Sequence, residues 1–288
     1  MTANDAIRDV SDTALGVAFY RAMETERADA IFRDPLARQL AGERGERIVR
    51  TLRGGRRNAW SMIVRTALFD EIVRRMIGSG EVDVVVNLAA GLDTRPYRLD
   101  FPAGLRWIEV DLPALIAYKE SDLGKETPRC RLERVALDLA NRKERRRLFA
   151  RLDADARGVL VLTEGLLTYL QSEAVGELAA DLHAQAHFKH WATDLASPKV
   201  KQMIEKYWGK HLRAANAPVH FAPAEGETFF GPYGWDAVEF HDLFAESQRL
   251  GRTMPWMGIA RLQMRLFPRR AARMMKLWRS GVTLLRRI

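Results

Sequence analysis

The chain has 288 residues, 47% of them hydrophobic, enough to bury one large core. No stretch of about 18 uninterrupted apolar residues occurs, so no spanning helix is expected. Cys130 is the only cysteine, which rules out an intrachain disulfide and fits a reducing compartment. The net charge of +9 suggests anionic partners, yet eight lysines and arginines, unaccompanied by any acid, lie between Arg265 and Ile288. The excess belongs to that segment and says little about the remainder.

In chain order, the first residues, MTANDAIRDVSD, are polar and lack the apolar run of a secretory signal, so a cytoplasmic location is expected. Residues 1–60 read as a helical cap, with a turn at Asp34-Pro35 and a Gly/Arg-rich loop at Arg53–Arg57. Trp60 to Ile77 is an amphipathic helix whose apolar arc holds Val64, Leu68, Phe69, Ile72, Val73 and Met76. Arg65 falls inside that arc. A buried guanidinium needs an anionic partner, either a carboxylate of the chain or the carboxylate of a ligand.

Val82–Leu88 is a near-continuous apolar run, the pattern of a strand buried on both faces, followed by a small-residue turn at Ala89, Ala90 and Gly91. Further strands are expected at Arg106–Asp111, Leu132–Asp138, Gly158–Glu164 and His190–Asp194, with helices at Arg142–Leu152 and Ser172–Ala184. This alternation predicts a mostly parallel, doubly wound α/β sheet with helices on both faces. Asp111, Asp138, Glu164 and Asp194 sit at successive strand ends, the edge where such sheets bind ligands. About 197–223 reads as an inserted helical lid. A strand at Trp235–Phe240 and a helix at Asp242–Gly251 follow. Arg265–Arg279 has the look of a basic amphipathic helix, either a membrane-surface element or, as favoured here, a surface helix leading to a final edge strand at Val282–Leu285.

The ligand can be narrowed from the turn. A dinucleotide needs a glycine-rich pyrophosphate cradle. Asn87–Asp93 has one glycine, an acid that would repel phosphate, and Pro96 interrupting the helix that should follow. S-adenosylmethionine carries a sulfonium, an ammonium, a ribose diol and an adenine amino group, all suited to strand-end carboxylates, and one carboxylate suited to Arg65. Three other features have plainer readings. His183, His187 and His190 straddle a helix-to-strand transition, so no metal site is expected. The run Arg142–Arg147 reads as a solvated helix face, with a phosphate-backbone contact as the alternative. Cys130 reads as a buried strand residue.

The segments NLAAGLDTRPYRL, IEVDLPALIAYK, VALDL and LTEGLLTYL, in this order, resemble the leucine carboxyl methyltransferase-like family of class I S-adenosylmethionine-dependent methyltransferases, and most closely its bacterial branch. TALGVAFYRAMETERADAIFRDPLA, SMIVRTALFDEIV, FFGPYGWDAVEFHDLF and SGVTLL extend the resemblance over most of the chain. The resemblance implies a Rossmann-like, seven-stranded fold in a single domain over 1–288. It implies that Arg65 binds the methionine carboxylate, Gly91 admits the methionine moiety, and Asp111 holds the ribose hydroxyls. Asp138 and Leu139 would contact the adenine, and Glu164 would line the donor pocket. Ala89 and Ala90 depart from the richer glycine pattern of class I enzymes. The function expected is O-methylation of a carboxyl or hydroxyl on a small molecule. Methylation of a protein C-terminal carboxyl and nucleic-acid binding through the basic tail are the alternatives. A hydroxyl acceptor would benefit from a general base, for which Tyr169 and His190 are candidates.

Overall fold

The computed structural model describes residues 10–52, 54–214, 216–254, 266 and 277–288. Two helices, α1 (Val10–Thr25) and α2 (Ala37–Thr51), precede the long α3 (Ala59–Gly78). The strands follow as β1 (Val84–Leu88), β2 (Arg106–Asp111), β3 (Arg131–Ala136), β4 (Val159–Thr163), β5 (Phe188–Ala196), β6 (Trp235–Asp242) and β7 (Ser280–Arg287). Between them lie α4 (Arg95–Arg98), α5 (Pro113–Leu123), α6 (Arg142–Ala154), α7 (Ser172–His183), α8 (Pro198–Ala214) and α9 (Leu243–Arg249).

Among the described residues, seven strands form one sheet in the order β3-β2-β1-β4-β5-β7-β6. β1 to β5 are parallel, and β7 runs antiparallel to both of its neighbours. The alternation of side chains along β1 explains its nearly continuous apolar sequence. Val84 and Val86 pack with Leu148, Phe149 and Leu178 from α6 and α7. Val85 turns the other way, against Val64, Leu68, Phe69 and Ile72 of α3. Helices cover both faces, and the one polar residue of β1, the buried Asn87, donates its side-chain amide to Asp93 Oδ2 at 2.8 Å.

The chain runs outward from β1 to β3, then returns to β4 on the other side of β1. The carboxyl ends of β1 and β4 therefore flank the point where the winding direction reverses, the usual ligand crevice of this architecture.

One expectation is corrected. β7 is an inner strand, paired with β5 on one side and β6 on the other. Val282, Thr283, Leu284 and Leu285 are all buried, which an edge strand would not require. β3 and β6 form the edges. The expected basic helix over Arg265–Arg279 lies almost wholly outside the described residues. The Arg142–Arg147 run is exposed in part, and four of its five cations are already matched. Arg142, Arg145 and Arg146 reach Asp181 of α7 at 3.2, 2.5 and 3.8 Å, and Arg147 reaches Glu144 at 2.8 Å. That leaves this run little charge for a phosphate backbone.

Candidate active site

The turn after β1 brings backbone close to the end of β2. Ala89 and Gly91 both have φ of 52°, a region that glycine enters freely and alanine enters at a cost of about 1–2 kcal/mol. With the chain turned this way, the Gly91 amide donates to Asp111 Oδ2 at 2.6 Å, and the Leu112 amide donates to Oδ1 at 2.7 Å. Each carboxylate oxygen keeps lone-pair capacity toward the cavity. Burial raises the Asp111 carboxyl above the usual carboxylate range, against the opposing pull of these two amides.

Arg65 of α3 reaches across to the strand ends. Its Nε donates to Glu164 Oε1 at 3.2 Å and its Nη1 to Asp194 Oδ2 at 3.1 Å. Asp194 is itself fixed by the Gly165 amide at 2.6 Å. Gly165 has φ of 73°, and a Cβ there would stand 3.3 Å from Arg65 Nη1, so a side chain would press on the guanidinium. Arg65 thus has two carboxylates of the chain itself as partners.

Behind Arg65 lies a buried ionic network. Arg95 Nη2 donates to Glu164 Oε2 at 2.9 Å, its Nε to Asp70 at 2.7 Å, and its Nη1 to Asp93 at 2.9 Å. Arg98 grips both Asp70 oxygens at 2.6 and 2.7 Å, and Arg21 pairs with Asp34 at 2.7 Å. Burial opposes charge on Asp93, but Arg95 and then Lys119 overcome it and bring the carboxyl down to about 2. Four guanidiniums, from Arg21, Arg65, Arg95 and Arg98, meet five carboxylates, from Asp34, Asp70, Asp93, Glu164 and Asp194.

The cavity has a volume of about 1020 Å³. Arg65, Gly91, Asp111, Glu164 and Tyr169 all line it, together with Asp93, Arg95 and Asp194. Asp138 and Leu139 do not. β3 ends at Ala136, and the chain turns at once, with the Ala140 amide on Asp138 Oδ1 at 2.9 Å. Asp138 is exposed, and Leu139 packs against the core beneath α6. His190 is also elsewhere. It lies four residues before Asp194, about 13 Å along the strand, where its Nε2 meets Glu81 at 3.3 Å at the opposite end of the sheet. Tyr169 lines the cavity, and burial raises its phenol above the ordinary value. His183, His187 and His190 take three separate partners, Ile288, Asp153 and Glu81. Arg95 and Asp93 were missed as site residues; the signal was present in the charged sequence DTR directly after the turn.

These residues suit S-adenosyl-L-methionine. The strand-end carboxylates in the lining suit a ligand with a sulfonium and an ammonium, while Arg65 offers a cation at the cavity lining that faces Glu164 and Asp194 together. Asp111, with both oxygens steadied by amides, is a ready acceptor for a pair of hydroxyls. Sheet order, the cavity at the reversal point and the strand-end acids together define a Rossmann-like methyltransferase.

Comparison with known proteins agrees. The profile of the family described as leucine carboxyl methyltransferase matches residues 14–183. A candidate S-adenosyl-L-methionine-dependent methyltransferase from Streptomyces avermitilis is 33% identical over 252 residues, spanning 83% of this chain and 87% of that protein. Another, from Frankia alni, is 38% identical over 241 residues, spanning 79% of this chain and 83% of that protein. A crystal structure of a DUF574 family protein from Streptomyces avermitilis shares the fold, with a TM-score of 0.58 at 15% identity, covering 94% of this chain and 97% of that chain. The chain belongs to the leucine carboxyl methyltransferase family. Its activity is methyl transfer, and its cofactor is S-adenosyl-L-methionine.

Proposed function

We propose that the chain methylates an oxygen, in a carboxyl or hydroxyl group, of a small molecule. The observation that carries this reading is that one cavity of about 1020 Å³ is lined both by the acidic strand ends and by apolar residues such as Val200, Ile204 and Trp208. Cavities for a single small ligand run to roughly 300–1,000 Å³, so there is room for an acceptor beside the donor. The bound donor supplies a methyl group already activated on sulfonium. Arg65, Glu164 and Asp194 would hold its methionine end, and Asp111 its ribose. What remains for the chain is alignment of the acceptor oxygen and exclusion of water, which is where proximity gives its rate advantage. Tyr169, protonated and hydrogen-bonded with Thr13, can orient an acceptor by donation.

In the same reading the chain is one domain, residues 1–60 cap the cavity, and about 197–223 forms a lid over it. The acceptor is its partner, with no nucleic acid, and the cytoplasm is its location. No helix among the described residues is long and apolar enough to cross a membrane. The test is incubation of the purified chain with methyl-labelled donor and a cell metabolite extract. Label in an extractable small molecule supports the reading; label only in polypeptide supports methylation of a protein carboxyl. Label in neither overturns both.

A further inference from the structure

The strand-end acids occupy only part of the cavity lining; helices supply most of the rest. In α8, Val200, Met203, Ile204, Trp208 and Leu212 recur at spacings of three and four residues, so they share one helix face, and all five line the cavity. The outer face of the same helix carries Lys206, Lys210 and Arg213, all exposed, while Lys199 lies at its edge with Nζ 6.0 Å from the centre of the Trp278 ring. The helix is therefore sorted into a basic side toward water and an apolar side toward the cavity. Trp60, at the start of α3, and Trp278, just before β7, add two more indoles to the lining.

Such a wall selects by desolvation. A charged or amide-rich group pressed against the aliphatic side chains of this wall would lose water and gain no partner there. An apolar face would instead be stabilised by burial. Indoles offer flat, rigid contact area, and Met203 can adjust around it. Tyr169 stands where the two kinds of lining meet. It lines the cavity and lies within electrostatic reach of Arg65 and Asp194.

We propose that the wall built by α8, Trp60 and Trp278 is the acceptor subsite and that it takes a neutral, apolar, ring-sized molecule, not a peptide terminus. This rests on the methyl-transfer reading above and narrows its substrate class. The ionic half of the cavity is given to the donor, and the apolar half is matched to an acceptor without formal charge.

The test uses N-phenyl-1-naphthylamine, a neutral probe that fluoresces on entering an apolar site, titrated into the full chain saturated with S-adenosylhomocysteine. Saturable micromolar binding is expected. Ile204→Glu should weaken it at least tenfold, whereas Lys206→Glu on the outer face should not change it. Val200→Gln is the milder inner-face variant should Ile204→Glu fail to fold. In competition, 1-naphthol should displace the probe at least tenfold better than 1-naphthoate or a tripeptide ending in leucine. Equal competition by the anion or the peptide would overturn the proposal, as would equal effects of the inner-face and outer-face substitutions. Calorimetry with S-adenosylhomocysteine alone separates the two readings. Intact probe binding without any heat from that ligand overturns the donor site, whereas normal heat with no saturable probe binding overturns the apolar subsite.

Discussion

The Gly91 amide donates to Asp111 Oδ2 at 2.6 Å, so the turn after β1 and the end of β2 form one rigid corner of the cavity. With Leu112 on the other oxygen, the carboxylate is held by two donors that an amide side chain cannot satisfy together. Asp111→Asn is expected to set an NH2 group against a backbone N–H, costing about 1–3 kcal/mol of stability. Affinity for S-adenosylhomocysteine should fall at least tenfold. Chemical denaturation and calorimetry measure the two effects, and unchanged affinity would remove Asp111 from the donor site.

The same residue makes donor binding sensitive to acid. Burial holds the Asp111 carboxyl above its ordinary value in the folded chain. Ligand hydroxyls favour the carboxylate form and would lower it again, so binding should release protons as pH approaches that value from above. Affinity is expected to drop about tenfold for each pH unit below it. Calorimetry in two buffers of different ionisation enthalpy reads the released protons directly. Identical apparent enthalpies across mildly acidic pH would count against this coupling.

Arg65 separates stability from binding. Removing it leaves Glu164 and Asp194 facing each other without their shared cation, and Arg65→Ala should cost about 3–5 kcal/mol, the range seen when one member of a buried ion pair is lost. Arg65→Lys restores a charge but not the planar fork. It should recover most of the stability while donor affinity stays about ten- to a hundredfold weaker. A lysine variant with wild-type affinity would show that the guanidinium only braces the strand ends.

Ala89 is a local strain that can be relieved. Its φ of 52° costs about 1–2 kcal/mol, and glycine would escape this at the expense of about 0.5–1 kcal/mol of added freedom in the unfolded chain. Ala89→Gly should therefore raise stability by about 0.5–1 kcal/mol, a melting shift of about 1–3 °C for a chain of this size. A lowered melting temperature would contradict the left-handed geometry.

Acid stability turns on Asp93. Its carboxyl is lowered from 3.8 to about 2, since burial, which alone would raise it, is outweighed by Arg95 and Lys119. A folded value below the unfolded one gives stability fully present above about pH 4 and lost as pH falls through about 2. At 1.36 kcal/mol per unit this amounts to about 2 kcal/mol. The stability gap between wild type and Asp93→Asn should shrink by that amount between about pH 4 and pH 2. A constant gap would assign the acid sensitivity to other carboxylates.

Much of the fold was legible because burial leaves a direct trace. β1 and β4 are apolar nearly throughout, and α3 shows its arc, since each is packed on a fixed pattern of faces. Arg65 was legible for the same reason, as a charge inside an apolar arc. Its partners were not, because Glu164 and Asp194 lie 99 and 129 positions away and only the winding of the sheet brings them together. The end of β3 was misjudged because Leu132–Asp138 is only half buried, which blurs the alternation where the strand stops. The place of β7 could not be read at all, since a short apolar run carries no record of its neighbours.

The position of β7 has a consequence for how the sheet is assembled. Among the described residues β6 pairs only with β7, which comes later in the chain. While a ribosome is still making the intervening segment, β6 has nothing to join, and β5 offers an open flank of hydrogen-bonding groups beside the new cavity. Closing that flank depends on a strand from far along the chain arriving antiparallel between two waiting partners, a slow, non-local step. Until then the half-built enzyme presents a template for foreign strands, so the growing chain's vulnerability to misassembly is concentrated beside Asp194, next to the site that will later do its chemistry.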